Sequence, residues 1–241
     1  MKKILFYLSV FLIIGCSAAE KAFVPAKDAA PLFGGEKTWN AQVDKHMKSL
    51  INPPEKIPLF SRFLLRKAEK EFEKELLPGR ILTWSTDMGI GSGCLEMFIE
   101  KGAAKILPAR MIYLLRMQVS HDVGCAFAMD VNSYKYKDYQ ITVEEIAAMQ
   151  GKKALDEVKT FSEREVVALR YAIALSRTPV RFDGKLLDDL RRLFSEQEIV
   201  AVSTLAAKVN YWARLIEAWR VKPAGYTSDP VLEIDTYNAF E

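Results

Sequence analysis

The sequence predicts an all-α protein. Three observations carry that reading. From Phe60 onward apolar residues recur at three- and four-residue steps, three segments open on a Ser/Thr-x-x-Glu capping box, and no segment alternates with the period of a half-buried strand. Half of the 241 residues are hydrophobic and 27% are charged, enough for one good-sized core or two small ones sharing an interface. The helical pattern runs without a linker, so one domain over residues 60–222 is expected.

Residues 1–16 read as an export signal. Lys2 and Lys3 form a positive start, and "ILFYLSVFLII" is shorter than the roughly 20 apolar residues that span a bilayer. The stretch ends in "IIGC", two branched apolar residues, a small residue and Cys16, which resembles the bacterial lipobox. That resemblance implies acylation of Cys16 and a lipid-anchored protein of the bacterial cell envelope, on the periplasmic side of the inner or outer membrane. Ser17 after the cysteine, in place of Asp, resembles the signal for forwarding to an outer membrane. Ordinary cleavage near "CSAAE", giving a soluble exported protein, is the alternative. Residues 17–59, with "AAPLFGG" and "NPPEKIP", read as a tether.

Phe60, Leu64, Ala68, Phe72 and Leu76 then recur every four residues through "FSRFLLRKAEKEFEKELL", a helix expected to stop at "PGR". "IGSGCLEMFIEKG" and "LPARMIYLLRMQVS" follow as helices, the second with Pro108 in its first turn. The capping boxes are "TVEE" at 142–145, "SERE" at 162–165 and "SEQE" at 195–198. The last opens the longest helix, along which Ile199, Val202, Val209, Trp212, Ile216 and Trp219 share a face. After "KPAG" the pattern is lost, and residues 223–241 read as a loose tail.

Charge and composition exclude several functions. The formal net charge is +3 with both signs interspersed, and there is no basic block, so nucleic acid is not an expected partner. His46 and His121 are the two histidines and neither sits in a Cys/His cluster, so no metal site is expected. No phosphate loop, Ser/His/Asp triad or dinucleotide fingerprint is present, and no cofactor is expected.

The chemistry centres on "GCAFAMDVNS", residues 124–133. Cys125 opens a helix, where free N–H groups favour thiolate over thiol, but Ala128 stands where a second sulfur could share its face. The order from Leu107 to Val221 resembles the carboxymuconolactone decarboxylase and alkyl hydroperoxidase D superfamily. "RMQVSHDVGC" meets a cysteine-led helix, the capped "ITVEEIAAM" follows, and the chain closes on a long helix carrying "NYWARLIEAW". The resemblance covers about half the chain. It implies an all-helical bundle of the alkyl hydroperoxidase D-like type, a homo-oligomer (trimer or hexamer), and an antioxidant, peroxiredoxin-type thiol activity on a small-molecule peroxide.

The family's peroxidase motif, C-x-x-C-x-x-x-H with a glutamate on the preceding helix, carries over at one position. Cys125 matches the first cysteine, whereas Ala128, Asn132 and Tyr113 stand at the second cysteine, the histidine and the glutamate. Alanine cannot resolve a sulfenic acid, and asparagine does not accept a proton at useful pH. A cycle on Cys125 therefore needs help. Cys94 or an outside thiol reductant is the candidate resolving partner, and His121, four residues before Cys125, is the candidate base, with a solvent-facing turn histidine as its plainer reading. Tyr113, Asp130 and Asn132 are the candidate polar groups of a pocket, or else packing and capping groups. Three functions stay open: a thiol peroxidase or reductase using Cys125, a non-catalytic binding or assembly module of the same fold, and a decarboxylase-like lyase.

Overall fold

The structure, a computed structural model, describes residues 49–234. The signal segment with Cys16, most of the 17–59 tether and the last seven residues lie outside them. The described residues are helical, with no strand among them. In chain order the helices are α1 (Leu59–Phe72), α2 (Leu77–Ile81), α3 (Thr86–Ala103), α4 (Ala109–Val123), α5 (Ala126–Ser133), α6 (Val143–Met149), α7 (Glu163–Ser176), α8 (Gly184–Leu193) and α9 (Glu196–Trp219).

Helix α4 is the axis of the bundle because its sequence is apolar on two sides. Leu115 and Val119 pack with Ala168 and Ala172 of α7 and with Val202, Leu205 and Ala206 of α9, all without exposure to solvent. Leu114 and Met117, on its other side, pack with Met129 of α5, Ile146 of α6 and Leu232 near the C-terminus, equally buried. Burying a side chain of this size contributes about 1.5–3 kcal/mol relative to exposure, so these two clusters carry most of the fold.

All three expected capping boxes form. Thr142, Ser162 and Ser195 each accept from the backbone N–H three residues on, and Glu145, Glu165 and Glu198 each accept from the cap's own N–H at 2.8–2.9 Å. The glutamates then do a second job. Arg110 on α4 donates to both Glu145 and Glu165 and also to the carbonyls of Tyr139 and Gln140, tying the starts of α6 and α7 to the axis. Arg164 reaches Glu198 in the same way at 2.6 Å, tying α7 to α9.

Two expectations change. The helix expected to run to "PGR" breaks earlier, at Glu73 (φ 55°), and a new short helix carries Pro78 in its first turn, where a missing N–H costs nothing. Gly79 lies so close to α1 that a Cβ there would come within 2.9 Å of Leu65, which explains a glycine inside a helix. The segment after Val221, expected to be loose, is packed as far as Ile234. Asp130 on α5 accepts from three successive backbone N–H groups, those of Gly225, Tyr226 and Thr227, at 2.7–3.0 Å, and Leu232 is fully buried. A run of backbone donors around one carboxylate leaves no periodic signature in a sequence.

Candidate functional site

The turn between α4 and α5 places Cys125. Gly124 takes the left-handed conformation (φ 68°) that ends α4, with its N–H on His121 O and the Cys125 N–H on Ser120 O. Cys125 thereby becomes the N-cap of α5, and its Sγ accepts from the Ala128 N–H at 3.4 Å. A helix start favours thiolate, yet the residue has no solvent exposure. Burial first, and Glu217 of α9 second, push the thiol well above its ordinary range, so at neutral pH it is S–H. Glu217 acts electrostatically on that thiol, and burial raises its own carboxyl.

The other expected residues scatter. Cys94 and Cys125 are both free thiols, but Cys94 is exposed on α3. The inward face of α3 carries Ser92, Glu96, Glu100 and Ala103, and Cys94 sits half a turn away from that stripe, so the geometry gives it no path to Cys125. His121 is buried, and burial lowers its pKa to about 4, leaving it neutral. The charges acting on it are Glu233 and Lys152, whereas Glu217 acts on the thiol. The Tyr113 hydroxyl accepts from the Lys135 N–H at 2.7 Å and its ring stacks on Tyr139 at 4.2 Å between centroids, which is a packing role. Asp130 holds the C-terminal segment, as described above.

Asn132 alone of the expected polar groups lines a cavity. The cavity has a volume of about 140 Å³, and its floor is Ala128 and Asn132, one turn apart on α5. Its walls are apolar: Phe127 and Val131 from α5, Trp212 and Ile216 from α9, and Phe72, Leu76 and Pro78 from the α1–α2 corner. Its polar edge is Arg116, Lys208 and Glu96. Arg116 donates from Nε and Nη2 to the single oxygen Asn132 Oδ1, at 2.9 and 2.8 Å, and Asn132 Nδ2 donates to Ser120 Oγ at 2.9 Å. The Lys208 side chain is 3% exposed and lies between Glu96 and Glu100. Trp212 Nε1 donates to the second oxygen of Glu96 at 2.8 Å. Burial works to raise the Glu100 carboxyl, but Arg116 and Lys208 outweigh it and hold the group below its ordinary range.

Sequence reasoning missed Arg116, Lys208, Glu96, Glu100 and Glu217. A signal for most of them exists. Lys208 sits on the apolar stripe of α9 between Leu205 and Val209, and Glu96 and Glu100 repeat at i, i+4 on a helix otherwise rich in apolar residues. A charge on a core-facing stripe calls for a partner, and these residues are one another's partners. Chemically the site is an apolar chamber with a hydrogen-bonding edge, and the thiol lies outside its lining.

No protein-family model matches the chain, and no curated protein matches it in sequence. Solved structures do match. A cysteine-to-alanine variant of the debrominase Bmp8 in complex with 2,3,4-tribromopyrrole superposes with a TM-score of 0.66 at 18% identity, over 78% of this chain and 98% of that one. Apo Bmp8 gives 0.64 at 18% identity, over 80% and 99%. An uncharacterized peroxidase-related protein from Silicibacter sp. TM1040 gives 0.59 at 11% identity, over 73% and 92%. At these identities the likeness is one of fold, and the fold is all-α, as expected from the sequence.

Proposed function

We propose that the protein binds a small, ring-sized organic molecule in the cavity over Ala128 and Asn132, and that this pocket rather than a two-thiol cycle is its working site. One observation carries the reading: the positions that would hold the second cysteine and the histidine form the floor of an apolar chamber, while the remaining thiol is buried outside it and protonated. The volume supports it, since about 140 Å³ compares with the ~150 Å³ apolar cavity that takes up benzene. So does the company it keeps in fold, where Bmp8 holds a one-ring compound.

Titration calorimetry with toluene and 2,3,4-tribromopyrrole tests the proposal on wild type and on Ala128→Leu, which puts a larger side chain into the floor. Binding by wild type and its loss in a variant with unchanged circular dichroism is the expected result. Wild type that takes up neither compound, or a variant that binds as well as wild type, overturns it.

A second reading rests on the influence of Glu217 on the Cys125 thiol. A carboxylate beside the thiol can take its proton as the sulfur attacks a peroxide. The S–O bond forms as the O–O bond breaks, the proton passes from Glu217 to the departing alkoxide, and the products are a sulfenic acid and an alcohol. Two equivalents of an external thiol then return the sulfur to S–H, giving a disulfide and water. Intact mass after stoichiometric peroxide decides this reading. A one-oxygen gain that is absent in Cys125→Ser and slowed in Glu217→Gln supports it, and an unmodified Cys125 removes it. Under either reading, acylation of Cys16 would set the site at an envelope membrane, which labelling with a radioactive fatty acid in wild type and Cys16→Ala would test.

A further inference from the structure

The polar edge of the cavity is unbalanced in donors and acceptors. Arg116 has five N–H donors and spends two of them, both on Asn132 Oδ1. Its Nη1 lies 3.9 Å from the nearest carboxylate oxygen, on Glu100, beyond hydrogen-bond distance. The acceptors that line the chamber, by contrast, are engaged. Glu96 receives Lys208 on one oxygen and Trp212 on the other, and Asn132 Oδ1 takes two donors from one guanidinium. The Asn132 amide nitrogen is spent on Ser120. The rest of the lining is apolar, apart from backbone already used in α5 and α9.

From this we infer that the cavity's ligand is a one-ring compound carrying an oxygen acceptor, and that Arg116 is the residue that reads the acceptor. The inference rests on the ring-binding proposal above and adds to it the chemistry of the ring's substituent. The ring fills the space between Phe127, Trp212 and Phe72, and the substituent points to the Arg116–Lys208 edge, where it meets Arg116 N–H donors that no group among the described residues takes up within hydrogen-bond distance. A carboxylate would accept two parallel N–H bonds from the guanidinium fork, and an amide or ketone oxygen would accept one. The test separates these two sources of the acceptor. Lys208 cannot replace Arg116 in this role, because it is held between two carboxylates.

Three probes of nearly one shape make the test: toluene, benzamide and benzoate, each titrated into the full-length protein and into Arg116→Met and Arg116→Lys. Wild type is expected to bind benzamide and benzoate at least about tenfold more tightly than toluene, the worth of one hydrogen bond to a charged donor. Arg116→Met is expected to bring all three to within about threefold of one another, and Arg116→Lys to keep a preference for benzoate while losing that for benzamide. The wild-type comparison needs no variant to fold. Toluene binding as tightly as the other two in wild type overturns the inference and leaves the ring-binding proposal standing. A preference that survives in Arg116→Met assigns the acceptor to another residue and likewise overturns it. If no probe binds at all, the ring-binding proposal itself fails.

Discussion

Arg110 and Arg116 stand six residues apart on α4 and differ in what surrounds them. Arg110 has its donors taken: two carboxylates, one of them with no exposed side-chain surface, and two carbonyls accept from it. Arg116 shares one amide oxygen between two donors and turns the rest toward a chamber. The first turn of the helix uses its cation to fix where α6 and α7 begin. The middle of the helix leaves donors unspent beside an apolar space. Donors turned to an apolar space are available to a ligand, and the contrast therefore points to the chamber as the part of the bundle that was shaped for one.

The largest effect should come from breaking the closed end. Arg110→Met leaves Glu145 a buried charge with its cation gone and is expected to cost about 3–5 kcal/mol, read as a lowered urea midpoint. If the loss is under about 1 kcal/mol, Arg110 is no more structural than any surface cation, and the contrast collapses.

Next comes the pH dependence of His121, in the last turn of α4. Its folded pKa is about 4 against an ordinary 6.5, so between those values the unfolded chain takes up a proton that the folded chain refuses. Stability from this source is complete above pH 6.5 and falls as pH drops, by about 3 kcal/mol in all. Asp122, raised to about 6 by burial, and Glu217, also raised, titrate in the opposite sense. The quantity to measure is therefore the difference between wild type and His121→Gln at pH 7 and at pH 4.5. Wild type should lose ground to the variant at the lower pH; a constant difference would place His121 in water.

What the sequence made legible follows the same division. Capping boxes are local, written in four residues, and Thr142, Ser162 and Ser195 could be read directly. The all-helical class followed from periodicity for the same reason. The cavity is assembled from α1, α2, α3, α4, α5 and α9, and no window of sequence contains more than a fraction of it. Asn132 was found because a family motif marks its position, whereas its partner Arg116, sixteen residues earlier, carries no motif. Glu217 lies 92 residues beyond the thiol it acts on, and only folding brings them together. Cys94 was singled out for being a cysteine, and the exposed face of α3 shows that residue type alone was the signal.

Asp130→Ala sharpens the comparison from a third side. It frees three backbone N–H groups of the C-terminal segment, and with them the contact that Lys74 makes to Ala224 O and the edge-on packing of Tyr226 against Phe72, which is itself a cavity wall. The expected loss is about 1–3 kcal/mol, with hydrogen exchange rising first over residues 225–234. Exchange that rises uniformly would mean that the segment is no separate unit.

The smallest effect on stability is expected from Arg116→Met. It leaves Asn132 Oδ1 without its two donors, but Asn132 keeps its bond to Ser120, Glu100 keeps Lys208, and the methionine stem still covers the Tyr113 side of the helix. About 1 kcal/mol should be lost, against several for Arg110, although both changes delete one arginine from one helix. A loss as large as that of Arg110→Met would mean that Arg116 is a second structural clamp, and the donors it holds at the chamber would then need no ligand to explain them. A small loss joined to a changed preference among toluene, benzamide and benzoate would mean that the residue is kept for what enters the cavity, since the fold hardly needs it.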